Sequence, residues 1–143
     1  MTVAAILDQK GRDVVTATEA ATVAEAADML AAHKIGALVV LDLAGRTIGI
    51  VSERDIVAAL ARHGADALDA RVGAVMTRNV LTCAEHETIN DVMARMTLGR
   101  FRHLPVSTEG RIAGIISIGD VVKARIEQVE READEMRAYI ATA

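Results

Sequence analysis

Apolar and polar positions follow two rhythms along this chain, and the same succession of rhythms occurs twice. Val23, Ala26, Ala27 and Leu30 fall at the i, i+3, i+4, i+7 spacing that gathers side chains on one helix face, and Ile89, Val92, Met93 and Met96 repeat the stripe. Thr22-x-x-Glu25 and Thr88-x-x-Asp91 head these stripes. There a threonine hydroxyl can accept from a free helical N–H while the carboxylate returns the bond, which predicts two helix starts. Upstream, Val14-Val15-Thr16 and Val80-Leu81-Thr82 read as short strands. Downstream, paired apolar runs flank a glycine-bearing turn: "ALVVLD", "LAGR", "TIGIVS" in the first half and "HLPVS", "TEGR", "IAGIIS" in the second. These predict hairpins. Pro105 has no N–H, so its nitrogen should face away from a partner strand or lie at an edge or bulge. A further helix should begin after Ser52 and after Ser117.

The halves match in wording as well as in rhythm. "GIVSERDIV" at 49–57 answers "GIISIGDVV" at 114–122, keeping glycine, serine and aspartate while Glu53-Arg54 becomes Ile118-Gly119. The offset is 66 residues from Val14 to the turn after Asp42 and 65 beyond it, and "VAAIL" at 3–7 matches "VGAVM" at 72–76. The expected fold class is mixed α/β, of the α+β kind, built from two β-α-β-β-α units. Residues 1–64 form the first unit with its N-terminal segment, 65–71 a connector, 72–125 the second unit and 126–143 a C-terminal helical tail. In the tail, Ile126, Val129, Ala133, Met136 and Ile140 share one stripe, with Glu127 and Arg131 at i, i+4 on the charged side. Such a stripe either packs on its own domain or meets a partner.

Composition narrows the functional classes. Hydrophobic residues make up 52% of 143 positions, almost all aliphatic, since Phe101 and Tyr139 are the only aromatics. A chain of this size can bury a real core. The net charge of −4 argues against duplex nucleic acid and against an anionic membrane surface as partners. No basic leader followed by an apolar run, and no uncharged stretch near the ~20 residues of a membrane span, is present, so a cytoplasmic protein is expected. Cys83 is alone, which rules out an intrachain disulfide framework.

The repeated Ser-x-x-Asp carries the candidate chemistry. Taken once, serine at a strand-to-helix junction with aspartate three residues on is an N-cap. The same geometry places free backbone N–H groups and the positive end of a helix dipole beside a hydroxyl, a seat for phosphate. The aspartate can accept from two vicinal hydroxyls such as those of a ribose. Gly49 and Gly114 remove a side chain where a flat base or a packed neighbour could come close.

Taken together, "GIVSERD" and "GIISIGD" at the ends of two hairpins resemble a tandem pair of CBS domains, a Bateman module, over nearly the whole chain from about Val3 to Val122. The resemblance implies two pseudo-symmetric units packed through their sheets, with clefts that bind adenosine-containing ligands such as AMP, ADP, ATP, S-adenosylmethionine or NAD(H). It implies ribose contacts for Asp55 and Asp120 and phosphate contacts for Ser52 and Ser117, with Arg54 and Gly119 inside the motifs. It adds Thr16 with Ile35, Gly36 and Ala37 in the first unit, and Leu81 and Thr82 with Phe101, Arg102 and His103 in the second. Arg100, Arg102 and His103 form a basic cluster that accompanies the second motif, whereas the first unit has Gly36-Ala37 at the Arg102-His103 positions. Unequal sites are therefore expected.

An enzyme needs several convergent roles, and Cys83, His33, His63 and His86 are scattered through the halves. No catalytic residue, catalytic cofactor or metal ligand is assigned. The favoured expectation is a non-enzymatic regulatory module that binds an adenylate and signals through homodimer geometry or a separate protein target. A structural adaptor with empty clefts is the alternative, and a small enzyme a more remote one.

Overall fold

The computed structural model describes residues 1–142. Helix α1 (Val3–Lys10) precedes strand β1 (Thr16–Thr18), helix α2 (Val23–His33), strands β2 (Ala37–Leu41) and β3 (Thr47–Ser52), and helix α3 (Glu53–His63). A 3₁₀ segment (Gly64–Asp69) and the one-turn helix α4 (Val72–Val75) lead to helix α5 (Ile89–Gly99), strands β4 (His103–Thr108) and β5 (Arg111–Ser117), and helix α6 (Ile118–Thr142). The expected caps form: Thr22 Oγ1 accepts from Glu25 N and Thr88 Oγ1 from Asp91 N. In the first unit β1 lies parallel to β2, which pairs antiparallel with β3. The second unit keeps the β4–β5 hairpin.

Val80-Leu81-Thr82 does not form the expected strand; only Cys83 bridges Val106 in parallel. Cys83 N donates to Pro105 O at 3.0 Å and Ser107 N to Cys83 O at 2.8 Å. Extending that ladder upstream would require Pro105 N to donate to Leu81 O, and proline has no hydrogen to give. The first unit has Val39 at the equivalent place and pairs with Thr16 there.

The packing crosses the repeat boundary. Val3, Ile6 and Leu7 of α1 are buried in the second unit's core with Ile89, Val92, Met96, Leu104 and Ile116. Val72 and Met76 are buried in the first unit's core with Val23, Leu38 and Val51. Matching backbone bonds tie the exchange: Val3 N to Glu87 O (2.9 Å) and Ile89 N to Met1 O (3.1 Å), against Val72 N to Ala21 O (2.7 Å) and Val23 N to Ala70 O (2.9 Å). "VAAIL" thus follows its own unit in sequence position and the other in packing. The two repeated glycines make room for this. A Cβ on Gly114 would lie 2.7 Å from Leu7 Cδ2, and one on Gly49 2.6 Å from Met76 Sδ. Close packing, rather than a ligand base, uses the missing side chains.

The tail is not separate from the last helix, since α6 runs unbroken for 25 residues, about 37 Å at 1.5 Å per residue. Val121 and Ala124 are buried, but Ile126, Val129, Met136 and Ile140 are 45–66% exposed, so this stripe does not pack on its own domain. The α5 stripe behaves oppositely: Ile89, Val92 and Met96 are core residues and offer nothing to a second subunit.

Candidate functional site

Helix α3 starts at Glu53 because Ser52 is extended (φ −114°, ψ 167°) and closes a reciprocal cap with Asp55. Ser52 Oγ accepts from Asp55 N at 3.3 Å, while Asp55 Oδ2 accepts from Ser52 N at 2.9 Å and from Ser52 Oγ at 3.1 Å. The other oxygen, Asp55 Oδ1, accepts from Thr77 Oγ1 at 3.2 Å. Thr77 is fixed there by a backbone pair with Ile50, donating to its carbonyl at 2.8 Å and receiving its N–H at 3.0 Å. Ser117 and Asp120 build the same cap at α6, with Ser117 N donating to Asp120 Oδ2 (2.8 Å) and Asp120 N to Ser117 Oγ (3.1 Å).

Between the units lies a cleft of about 510 Å³. The first unit contributes Gly36, Ser52, Arg54 and Asp55, and the second Phe101, Arg102, His103 and Ser117. Leu81 and Arg100 line it as well. The cationic cluster of the second unit therefore faces Asp55, the aspartate of the first, rather than its own Asp120. Of the other expected residues, Thr16 and Ala37 are paired within the first sheet and Ile35 packs on the first core. Thr82 is exposed, with its carbonyl accepting from Arg95 Nη2 at 2.7 Å. Gly119 lies in the first turn of α6, and Asp120 is bound to Lys10. None of these six lines the cleft.

Seven lining residues escaped sequence reasoning: Ile50, Glu53, Thr77, Asn79, Val80, Gly99 and Ile118. Thr77 and Asn79 fall where "TRN" replaces the longer "DQKGRD", so the repeat offers no one-to-one partner for them. Gly99 has a steric signal that only the structure reveals, because a Cβ there would sit 2.3 Å from Phe101 Cε1. The ring lies over the end of α5 and joins Ile50, Val80, Leu81 and Ile118 as the apolar part of the wall.

The polar part of the wall sets three arginines beside the carboxylates of Asp55 and Glu53. Arg54, Arg100 and Arg102 are exposed, and none of them pairs with a carboxylate among the described residues. Arg54 Nη1 reaches Arg100 O at 3.4 Å across the units. Burial is the chief reason His103 titrates below the ordinary histidine range; Lys10 and Arg102 push the same way, while Glu53 and Asp120 oppose them. Burial disfavours the Asp120 carboxylate, but bonds from Lys10 and Ser117 outweigh it and hold the carboxyl below its usual value. The cleft thus offers a carboxylate acceptor, a flat apolar wall and three forked cations, suited to a sugar diol, a planar ring and phosphate respectively. Among the described residues no group of three or more His, Cys, Asp or Glu is arranged to hold a metal ion, and no helix is long and apolar enough to cross a membrane. Cys83 lies buried in the second core, its thiol pushed up to about 12 mainly by that burial.

The model of the CBS domain family matches residues 9–62 and again 72–127. An uncharacterized 17.7 kDa protein of Acidianus ambivalens is 36% identical over 121 residues, 81% of this chain and 72% of its own. Against several other curated relatives the chain spans less than two thirds of their length. The crystal structure of the CBS-domain containing protein ATU1752 from Agrobacterium tumefaciens superposes with a TM-score of 0.85 at 54% identity, covering 87% of this chain and 92% of that one. The CBS domain pair of protein MJ0100, solved in complex with 5′-methylthioadenosine and S-adenosyl-L-methionine, gives a TM-score of 0.80 at 29% identity, covering 90% and 98%. The chain belongs to the CBS-domain family, as a tandem pair of mixed α/β units continued by a long C-terminal helix.

Proposed function

We propose that the protein is a regulatory sensor that binds an adenosine nucleotide in the cleft at Asp55 and does not convert it. The observation that carries this reading is the convergence on one cleft of Asp55 and three arginines free of carboxylate partners among the described residues. Asp55 receives the ribose hydroxyls, Phe101 and Leu81 flank the base, and Arg54, Arg100 and Arg102 take phosphate. Three guanidiniums favour ADP, ATP or NAD(H) over AMP, and AMP over adenosine, because each phosphate adds charge that a planar fork can chelate. The adenosine-containing ligands of the MJ0100 pair support the ribose and base assignments.

Calorimetric titration with adenosine, AMP, ADP, ATP, NAD(H) and S-adenosylmethionine tests the reading. Affinity rising with phosphate number, and unchanged ligand recovered afterwards, is the expected result; no heat from any of them at several temperatures overturns it. Output passes through subunit geometry. The exposed stripe Ile126, Val129, Met136 and Ile140 on α6 is the surface proposed to meet a second copy. A symmetric contact there would receive two charges from a single Met136→Glu substitution. Light scattering at micromolar concentration should show a wild-type dimer and a Met136→Glu monomer; a wild-type monomer with and without nucleotide removes the dimer.

A further inference from the structure

The two Ser-x-x-Asp motifs are equal as caps and unequal as acceptors. At Asp55 the neighbour is Thr77, whose N–H satisfies the Ile50 carbonyl and whose hydroxyl donates to the carboxylate. Asp120 and Ile115 are the counterparts of Asp55 and Ile50 at the 65-residue offset, and there one side chain performs both tasks. Lys10 Nζ donates to Ile115 O at 2.9 Å and to Asp120 Oδ2 at 2.7 Å. A neutral hydroxyl leaves the full carboxylate charge for an incoming donor. An ammonium in salt-bridge contact neutralises it, whereas the backbone bond from the cap serine is common to both aspartates. The remaining charged neighbours do not replace what Lys10 supplies: the counterparts of Arg54 and Arg102 are Gly119 and Gly36, which carry no side chain.

We infer that Lys10 ranks the two positions, acting as an internal cation with which a ribose must compete for Asp120. Resting on the adenosine reading above, this makes Lys10 a specificity-determining residue. Adenosine fills the Asp55 position first and reaches Asp120 only as Lys10 is displaced. Lys10 is the last residue of α1, just before the chain crosses from the second unit's core to β1 of the first. Displacing it therefore frees the end of the helix where the two units are joined.

Adenosine is the probe because it has no phosphate for Lys10 to hold. Titrations would compare wild type, Lys10→Met, Asp55→Ala and the Lys10→Met/Asp120→Ala pair. Lys10→Met should tighten the weaker class of sites by about two- to fivefold, as expected for removing a partly exposed ion pair, and leave the stronger class unchanged. The added Asp120→Ala should abolish that gain. In wild type, saturating adenosine should accelerate acylation of Lys10 relative to Lys34 and Lys123, the only other lysines, measured by peptide mass spectrometry. An unchanged or weakened second class in Lys10→Met overturns the inference, as does Lys10 labelling indifferent to adenosine. If wild type still binds adenosine through Asp55, the nucleotide reading survives that failure; if neither wild type nor Lys10→Met binds, both fall together.

Discussion

Replacing Gly114 with alanine tests the crossed packing on which the cleft is built. The added Cβ would lie 2.7 Å from Leu7 Cδ2 and 3.0 Å from Leu7 Cδ1. Leu7 is completely buried, so it has no open side to swing into. Overpacking of this kind costs about 1–3 kcal/mol. Against it stands the gain of about 0.4–1 kcal/mol that alanine brings by restricting the unfolded chain. That gain applies because Gly114 is not among the glycines with positive φ. The net expectation is a loss of about 1–2 kcal/mol. Leu7→Ala alone, which opens a cavity in the second core, should lose about 2–5 kcal/mol. In the Leu7→Ala background the clash is gone, so Gly114→Ala becomes neutral or stabilising, and the coupling between the two sites should reach about 1–3 kcal/mol. Urea unfolding of the four proteins, with constant m-values, measures it. Additivity within ~0.5 kcal/mol would mean that α1 does not sit against β5.

Asp55→Ala should abolish or strongly weaken adenosine binding while costing the fold only about 1 kcal/mol of cap stability, read by calorimetry beside urea unfolding. Arg102→Ala should weaken ADP and ATP more than adenosine; equal losses would make the arginine structural. His103 has its folded-state pKa depressed, so on acidification through ~6.5 the unfolded chain takes up the proton first and stability falls, levelling off once pH drops below the folded value. His103→Gln should flatten that window in urea midpoints measured between pH 7.5 and 5.5, and an unchanged slope would place the titration elsewhere. Cys83, with its thiol pushed up to about 12, should resist a thiol reagent in the native protein and react only on unfolding.

Much of this architecture was legible because it is written twice. The threonine caps, the stripes of α2 and α5, both hairpins and the Ser-x-x-Asp junctions rest on interactions within a few residues, and each half corroborates the other. What escaped depends on contacts distant in sequence. The exchange of α1 and α4 is invisible to an alignment, because Leu7 and Met76 look alike whichever core they enter. The missing strand before α5 follows from Pro105, whose effect is felt by Leu81, a residue it meets only after folding. Half of the cleft could be named from the motifs, yet the placing of Asp55 and Arg102 on one cleft required the packing of one unit on the other. The α6 stripe was recognisable by period, and only exposure separates a free face from a buried one.

Native mass spectrometry of the protein and of Asp55→Ala, each with excess ADP, tests the central claim most directly. The predicted result is a wild-type chain carrying the mass of an intact nucleotide, with that adduct lost or greatly reduced in Asp55→Ala. A bare wild-type mass under conditions that preserve weak complexes, or an adduct of equal occupancy in the two proteins, would contradict it.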